Sequence, residues 1–348
     1  MESDLEVMST NDSGTNVEEN IYRMHILVFD AFLLTLVLVG NISVLVVIIN
    51  DGQKSRMNVY IKNLAVADLL CGLFYIVPRI VVHVNNDQFY GGNTICKMQE
   101  YFGNVGIFGS NTIVVALSLD RLYLVLRPLG SLAVRGKSAM MPCILCWVIA
   151  AIESVTGPIV FEYNDVIKYC TLWLNGTELK IYFTTIFVVV FIIPTMILAV
   201  CYSVIAYIIW RVSKREGGIQ LKENPSSGHQ HSSLLNSRQS SHSSGSEQRD
   251  TTISKSQIKT IKMTFVIVIA FFCCWAPYMI VNLLFIFGII IIPNQVSIFI
   301  NGLLPLNSVV NPLIYAAFSS RVFKRFRNKL TRRLPTTRTT RRTENWKM

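Results

Sequence analysis

Seven stretches of this chain are long and apolar enough to cross a bilayer, near residues 25–50, 58–84, 94–126, 139–161, 180–211, 258–288 and 295–318. Spanning about 30 Å of hydrocarbon takes about 20 helical residues. In lipid the backbone must satisfy its own hydrogen bonds, so each stretch is predicted to be a helix. The expected fold is an all-α membrane protein, a seven-transmembrane helix bundle. Composition agrees: 51% of the residues are hydrophobic and 15% charged, against about 25% charged in a typical soluble domain.

The charges set the orientation. Residues 1–24, an expected extracellular tail, hold Glu2, Asp4, Glu6, Asp12, Glu18 and Glu19 against Arg23, whereas the last thirty residues are strongly basic. Lys54, Arg56, Arg135, Lys137, Lys214, Arg215 and Lys222 all fall on one predicted side, and the other carries Asp87, Glu162, Asp165 and Glu178. Basic segments stay in the cytoplasm, so the N-terminus is expected outside and the C-terminus inside. This explains the net charge of +11 better than nucleic-acid binding does. No cleavable signal peptide is visible, so the first span is expected to act as its own insertion signal. The sequons at Asn11 and Asn175 fall outside, where glycosylation is expected, and a third at Asn41 lies within the first span.

Within the core region 25–330, residues 213–255 are rich in Ser, Gln, His and Asn and read as a disordered cytoplasmic loop. Residues 319–330 alternate basic and apolar side chains, as in an amphipathic helix lying on the anionic lipid surface. Residues 331–348 form a basic, Thr-rich tail. No internal repeat of the transporter kind is present.

Polar groups in mid-membrane usually carry function. Asp68 lies deep in the second run, and Ser110, Asn307, Ser308 and Asn311 fall at a similar depth. They form either a monovalent cation site or a plain hydrogen-bonded network. Arg121 ends the third run beside Asp120. It either snorkels to the surface or acts as a switch paired with Asp120 at rest. Pro194, Pro277 and Pro312 sit deep in helical runs, with Phe271, Cys274, Trp275 and Tyr278 around Pro277. A proline removes a backbone bond and kinks its helix, so these groups suggest a bistable bundle. Six of eight cysteines lie deep in apolar runs, while Cys96 stands at the outer edge of the third run and Cys170 between two runs. Cys96 and Cys170 remain on the outer side, where one disulfide is expected.

Taken together, Gly40-Asn41, Asn63 to Asp68, Cys96, Asp120-Arg121, Trp147, Pro194 with Tyr202, Cys274-Trp275-Ala276-Pro277 and Asn311-Pro312-Leu313-Ile314-Tyr315 resemble the signature of rhodopsin-like G-protein-coupled receptors. The fragments occur in order across residues 25–330. The resemblance implies an outward-facing ligand pocket, a Cys96–Cys170 disulfide and a heterotrimeric G protein on the inner face. It also implies receptor kinases and arrestin acting on the Ser-rich loop 226–246 and the tail threonines. The switch residues it implies are Asp120, Arg121, Tyr202, Phe271, Trp275, Pro277, Asn311, Pro312 and Tyr315, around an allosteric sodium ion and no other cofactor. Residues 258–268, with Phe89-Tyr90-Gly91-Gly92, are similar to the vasopressin, oxytocin and neuropeptide S receptor group.

That group implies a short neuropeptide ligand, a non-peptide small molecule or lipid being the other reading. Its pocket positions correspond here to Tyr75, Arg79, Glu100, Gly103 and Asn282, with Trp275 and Tyr278 below. Vasopressin and oxytocin receptors carry glutamines and a lysine at such places, so the ligand itself should differ. Gly103 stands where amine receptors carry an aspartate. Arg79 and Glu100 either pair with each other or read the ligand, Glu100 a basic group and Arg79 an acid or carbonyl. Leu122 replaces the usual tyrosine and Gln257 the acid that often opens the sixth span. No lysine in the seventh span could hold retinal, and no catalytic pair marks an enzyme.

Overall fold

The computed structural model describes residues 2–52, 55–127, 139–220 and 255–318. The expected amphipathic helix at 319–330, the tail 331–348 and the loop residues 221–254 lie outside the described residues. Among the described residues six membrane-length helices are present: Asn20–Asp51, Arg56–Val84, Gly92–Leu126, Met140–Val160, Gly176–Val212 and Ile258–Ile286. They fall within a few residues of the first six apolar runs. The seventh run is not one helix. It is two, Asn294–Leu303 and Leu306–Phe318, joined by a turn at 304–305. Pro305 explains the break, because it has no N–H to continue the helix.

Two elements run longer than the sequence indicates. The first helix begins at Glu2, so residues 2–24 are helical and continuous with the first span. The fifth reaches Gln220, so 213–220 are helical instead of belonging to the linker.

The bundle differs from a soluble protein in its surface, which is apolar like most of its interior. Val28, Phe32, Met141, Ile152 and Leu313 are exposed on its outer surface, as lipid-facing side chains should be. Asp30, Asn41, Asp68, Ser110, Asn111, Asn307 and Asn311 are buried. The second and third spans touch most closely at glycines. A Cβ on Gly106 would lie 2.5 Å from the Cys71 nitrogen, and one on Gly103 3.1 Å from the Phe74 carbonyl oxygen. Small residues permit this approach in membranes, where packing drives helix association.

Two prolines are answered by asparagines from other spans. Pro194 has no N–H for the carbonyl of Val190, four residues earlier. Asn111 on the third span donates its Nδ2 to that oxygen at 2.7 Å. Pro312 frees the carbonyl of Ser308 in the same way, and Asn41 on the first span donates to it at 3.0 Å. The Pro312 ring fits because Gly40 has no side chain: a Cβ there would meet the ring at 3.1 Å.

Above the bundle, β1 (Phe161–Asn164) and β2 (Tyr169–Leu172) form an antiparallel hairpin pairing Phe161 with Leu172 and Asn164 with Tyr169. Cys96, near the start of the third span, is disulfide-bonded to Cys170 on β2. Of the other cysteines, Cys71, Cys143, Cys146 and Cys201 are buried as expected, whereas Cys273 is exposed.

Candidate functional site

A cavity of about 400 Å³ opens beneath the hairpin. The second span brings Tyr75 and Arg79 to its wall, the third brings Glu100 and Gly103, and the sixth brings Trp275, Tyr278 and Asn282. All seven side chains or positions singled out in the sequence therefore line one space. Phe161, Tyr169 and Cys170 roof it, and Gln99, Asn104, Tyr182 and Asn301 add polar lining that the sequence alone did not single out. Such a volume lies within the range of small-ligand sites. At the floor Trp275 is 3% exposed. Its ring sits 5.9 Å from Phe271 and, edge on, 6.5 Å from Tyr278. The Trp275 indole N–H has no acceptor among the described residues.

Arg79 does not pair with Glu100. It forms an ion pair with Asp30 on the first span, Nε to Oδ2 at 3.1 Å and Nη2 to Oδ1 at 3.4 Å. The Asp30 side chain is wholly buried. The sequence held a signal for this residue, because a carboxylate inside an apolar run demands a partner. No cation lies within ion-pair distance of Glu100 among the described residues.

Below the cavity lies the Asp68 cluster. Ser110 Oγ donates to Asp68 Oδ1 at 2.9 Å and Asn311 Nδ2 to Oδ2 at 3.0 Å. Asn307 and Ser308 are buried nearby in the same helix as Asn311. The side-chain carbonyl oxygens of Asn307 and Asn311 are buried and have no donor among the described residues. A carboxylate, a hydroxyl and two spare amide oxygens suit a hard monovalent cation, which prefers oxygen ligands.

At the inner end, Arg121 Nη2 donates to Asp120 Oδ2 at 2.8 Å. The same carboxylate accepts from Arg56, at the start of the second span, through Nε at 3.0 Å and through Nη2. Both Asp120 and Arg121 are buried, so Arg121 does not snorkel into solvent here. Arg56, one of the basic residues that mark the cytoplasmic side in the sequence, is thus a partner of Asp120. Tyr202 packs against Phe265 at 5.4 Å, while Tyr315 and Phe271 are each about 1% exposed in the core. Pro277 and Pro312 lie inside helices. The Gln257 side chain lies outside the described residues. Asn175 is exposed just before the fifth span, and Asn11 falls within the first helix.

Residues 40–315 match the seven-transmembrane receptor (rhodopsin family) model. The chain is 33% identical over 325 residues to a mesotocin receptor of Rhinella marina, covering 90% of this chain and 78% of that protein. It is 32% identical to a vasopressin V1b receptor of Homo sapiens, covering 85% of the chain and 72% of the relative. It is 30% identical to a neuropeptide S receptor of Macaca mulatta, covering 82% and 74%. On that match over most of its length and on these identities, this chain belongs to the rhodopsin family of seven-transmembrane, G-protein-coupled receptors.

Proposed function

We propose that this receptor is activated at the cell surface by a short peptide of the vasopressin, oxytocin or neuropeptide S type. The observation that carries the reading is the cavity under the hairpin, with its mixed aromatic and polar wall. At about 400 Å³ it can take a few side chains of a peptide whose remainder rests on the hairpin. The names of the relatives support the same ligand class. The disulfide supports an outer position for the cavity end, since such bonds persist in oxidising compartments. The N-terminus is then extracellular and the C-terminus cytoplasmic.

A ligand entering the cavity meets Trp275 and Tyr278, one turn or less from Pro277. Pressure there moves the inner half of the kinked sixth helix, and Arg121 leaves Asp120 to meet a heterotrimeric G protein. A ligand drives this step only by its higher affinity for the active arrangement. A sodium ion held by Asp68, Ser110, Asn307, Ser308 and Asn311 favours the resting arrangement. Receptor kinases, and then arrestin, act on the cytoplasmic serines and threonines. The test is a calcium response in cells expressing the full chain, screened against short amidated peptides and against lipids and small amines. A peptide agonist is expected. A response to lipids or amines alone would overturn the peptide reading.

A further inference from the structure

We propose that the activating ligand places a positive charge against Glu100, and that Asp30 sets this preference by cancelling the charge of Arg79. This rests on the peptide reading above. Among the described residues, Arg79 and Glu100 are the charged side chains on the cavity wall. Their charges would sum to zero if both were free. Arg79 is not free. Its Nε and Nη2 both go to Asp30, whose side chain is 0% exposed against 19% for Arg79. A fork-to-fork pair of this kind fixes the guanidinium and neutralises it. Behind the wall, therefore, lies a negative charge that the wall itself does not display.

Among the described residues Glu100 has no such counter-charge. The polar side chains that share the wall with it, among them Gln99, Asn104, Tyr182, Tyr278 and Asn282, are neutral. Closing a ligand over Glu100 removes it from water. A carboxylate in that position demands a cation. The cavity as a whole, with Asp30 included, carries one net negative charge. A lysine, an arginine or a free amino terminus on the ligand supplies the match. An acidic ligand group finds no free cation among the described residues, because the guanidinium beside it is already paired.

The experiment uses the full-length receptor in cells and a library of short amidated peptides sorted by net charge. Surface expression is read separately with an antibody to an N-terminal tag. Activating peptides are expected in the cationic pools. For the most potent of these, Glu100→Gln is expected to raise the half-maximal concentration at least about tenfold, as for other close charge pairs. Neutralising the basic group of that peptide should produce the same loss in the wild-type receptor and little further loss in Glu100→Gln. Asp30→Asn should weaken cationic peptides and strengthen acidic ones by releasing Arg79. Should that variant fail to reach the surface, Asp30→Leu with Arg79→Met removes the pair together and should keep the cationic preference. Peptides that activate irrespective of charge, with potency unchanged in Glu100→Gln, would sink this inference and leave the peptide reading intact. Activation by neutral lipids or small molecules, with no peptide response, would overturn both.

Discussion

Asp68 accepts hydrogen bonds from neutral donors, Ser110 and Asn311 among them, and pairs with no cation among the described residues, while amide oxygens of Asn307 and Asn311 stay unmatched beside it. If sodium uses those oxygens, it should lower agonist affinity in wild-type membranes, and Asp68→Asn should abolish the effect. An equal sodium response in both, measured by agonist competition, would remove the ion from the account. Arg121 is the other residue with a sharp expectation. Arg121→Ala should eliminate nucleotide exchange on the G protein while agonist affinity changes only a few-fold, and retained signalling would refute the switch role. Both residues were legible because a charge in an apolar run stands out. Asp30 stood out equally, but its partner Arg79 is 49 residues away on another helix. Nothing in either local sequence says that the two meet.

Helices inherit a similar limit. The prolines were readable, yet their consequences were not. Each frees a carbonyl, and the donor that answers comes from a distant span: Asn111 reaches Val190 across 79 residues and Asn41 reaches Ser308 across 267. A buried carbonyl left without a donor costs about 1–3 kcal/mol. Asn111→Leu and Asn41→Leu should therefore each lower the melting temperature of the purified receptor, and unchanged melting would show that these bonds add nothing. Arg56 offers a test of a different kind. It shares the Asp120 carboxylate with Arg121, which divides that carboxylate's attraction between two cations. In Arg56→Met the whole attraction falls on Arg121. Ligand-independent G-protein activation should drop, measured at matched surface expression; a rise would contradict the sharing.

At the scale of the molecule the spans were the most legible feature, because lipid thickness fixes their length and burial of the backbone fixes their helicity. Their packing was less so. The close contact at Gly106 joins two separate spans, and the hairpin, although its own strands are neighbours in the chain, is tied over the cavity by Cys96, 74 residues before Cys170. The disulfide was foreseen, and it closes 74 residues of chain into a loop that includes the third and fourth spans. Removing such a link typically costs 2–5 kcal/mol. Cys96→Ser or Cys170→Ser should reduce surface expression or ligand binding severely, and normal behaviour of both variants would show the bond to be dispensable.

The turn at 304–305 gives the seventh span a joint. Leu304 lines the cavity, and Asn307 begins the Asp68 cluster only three residues on. The span is thus two levers on one fulcrum rather than a rod. A rod would carry every push from the cavity wall to the inner end in full; a jointed pair carries a fraction set by the stiffness of the joint. If that fraction sets the size of the response, it is tuned at Pro305, which is not among the residues lining the cavity. Pro305→Ala should change maximal response while leaving agonist affinity nearly as it was.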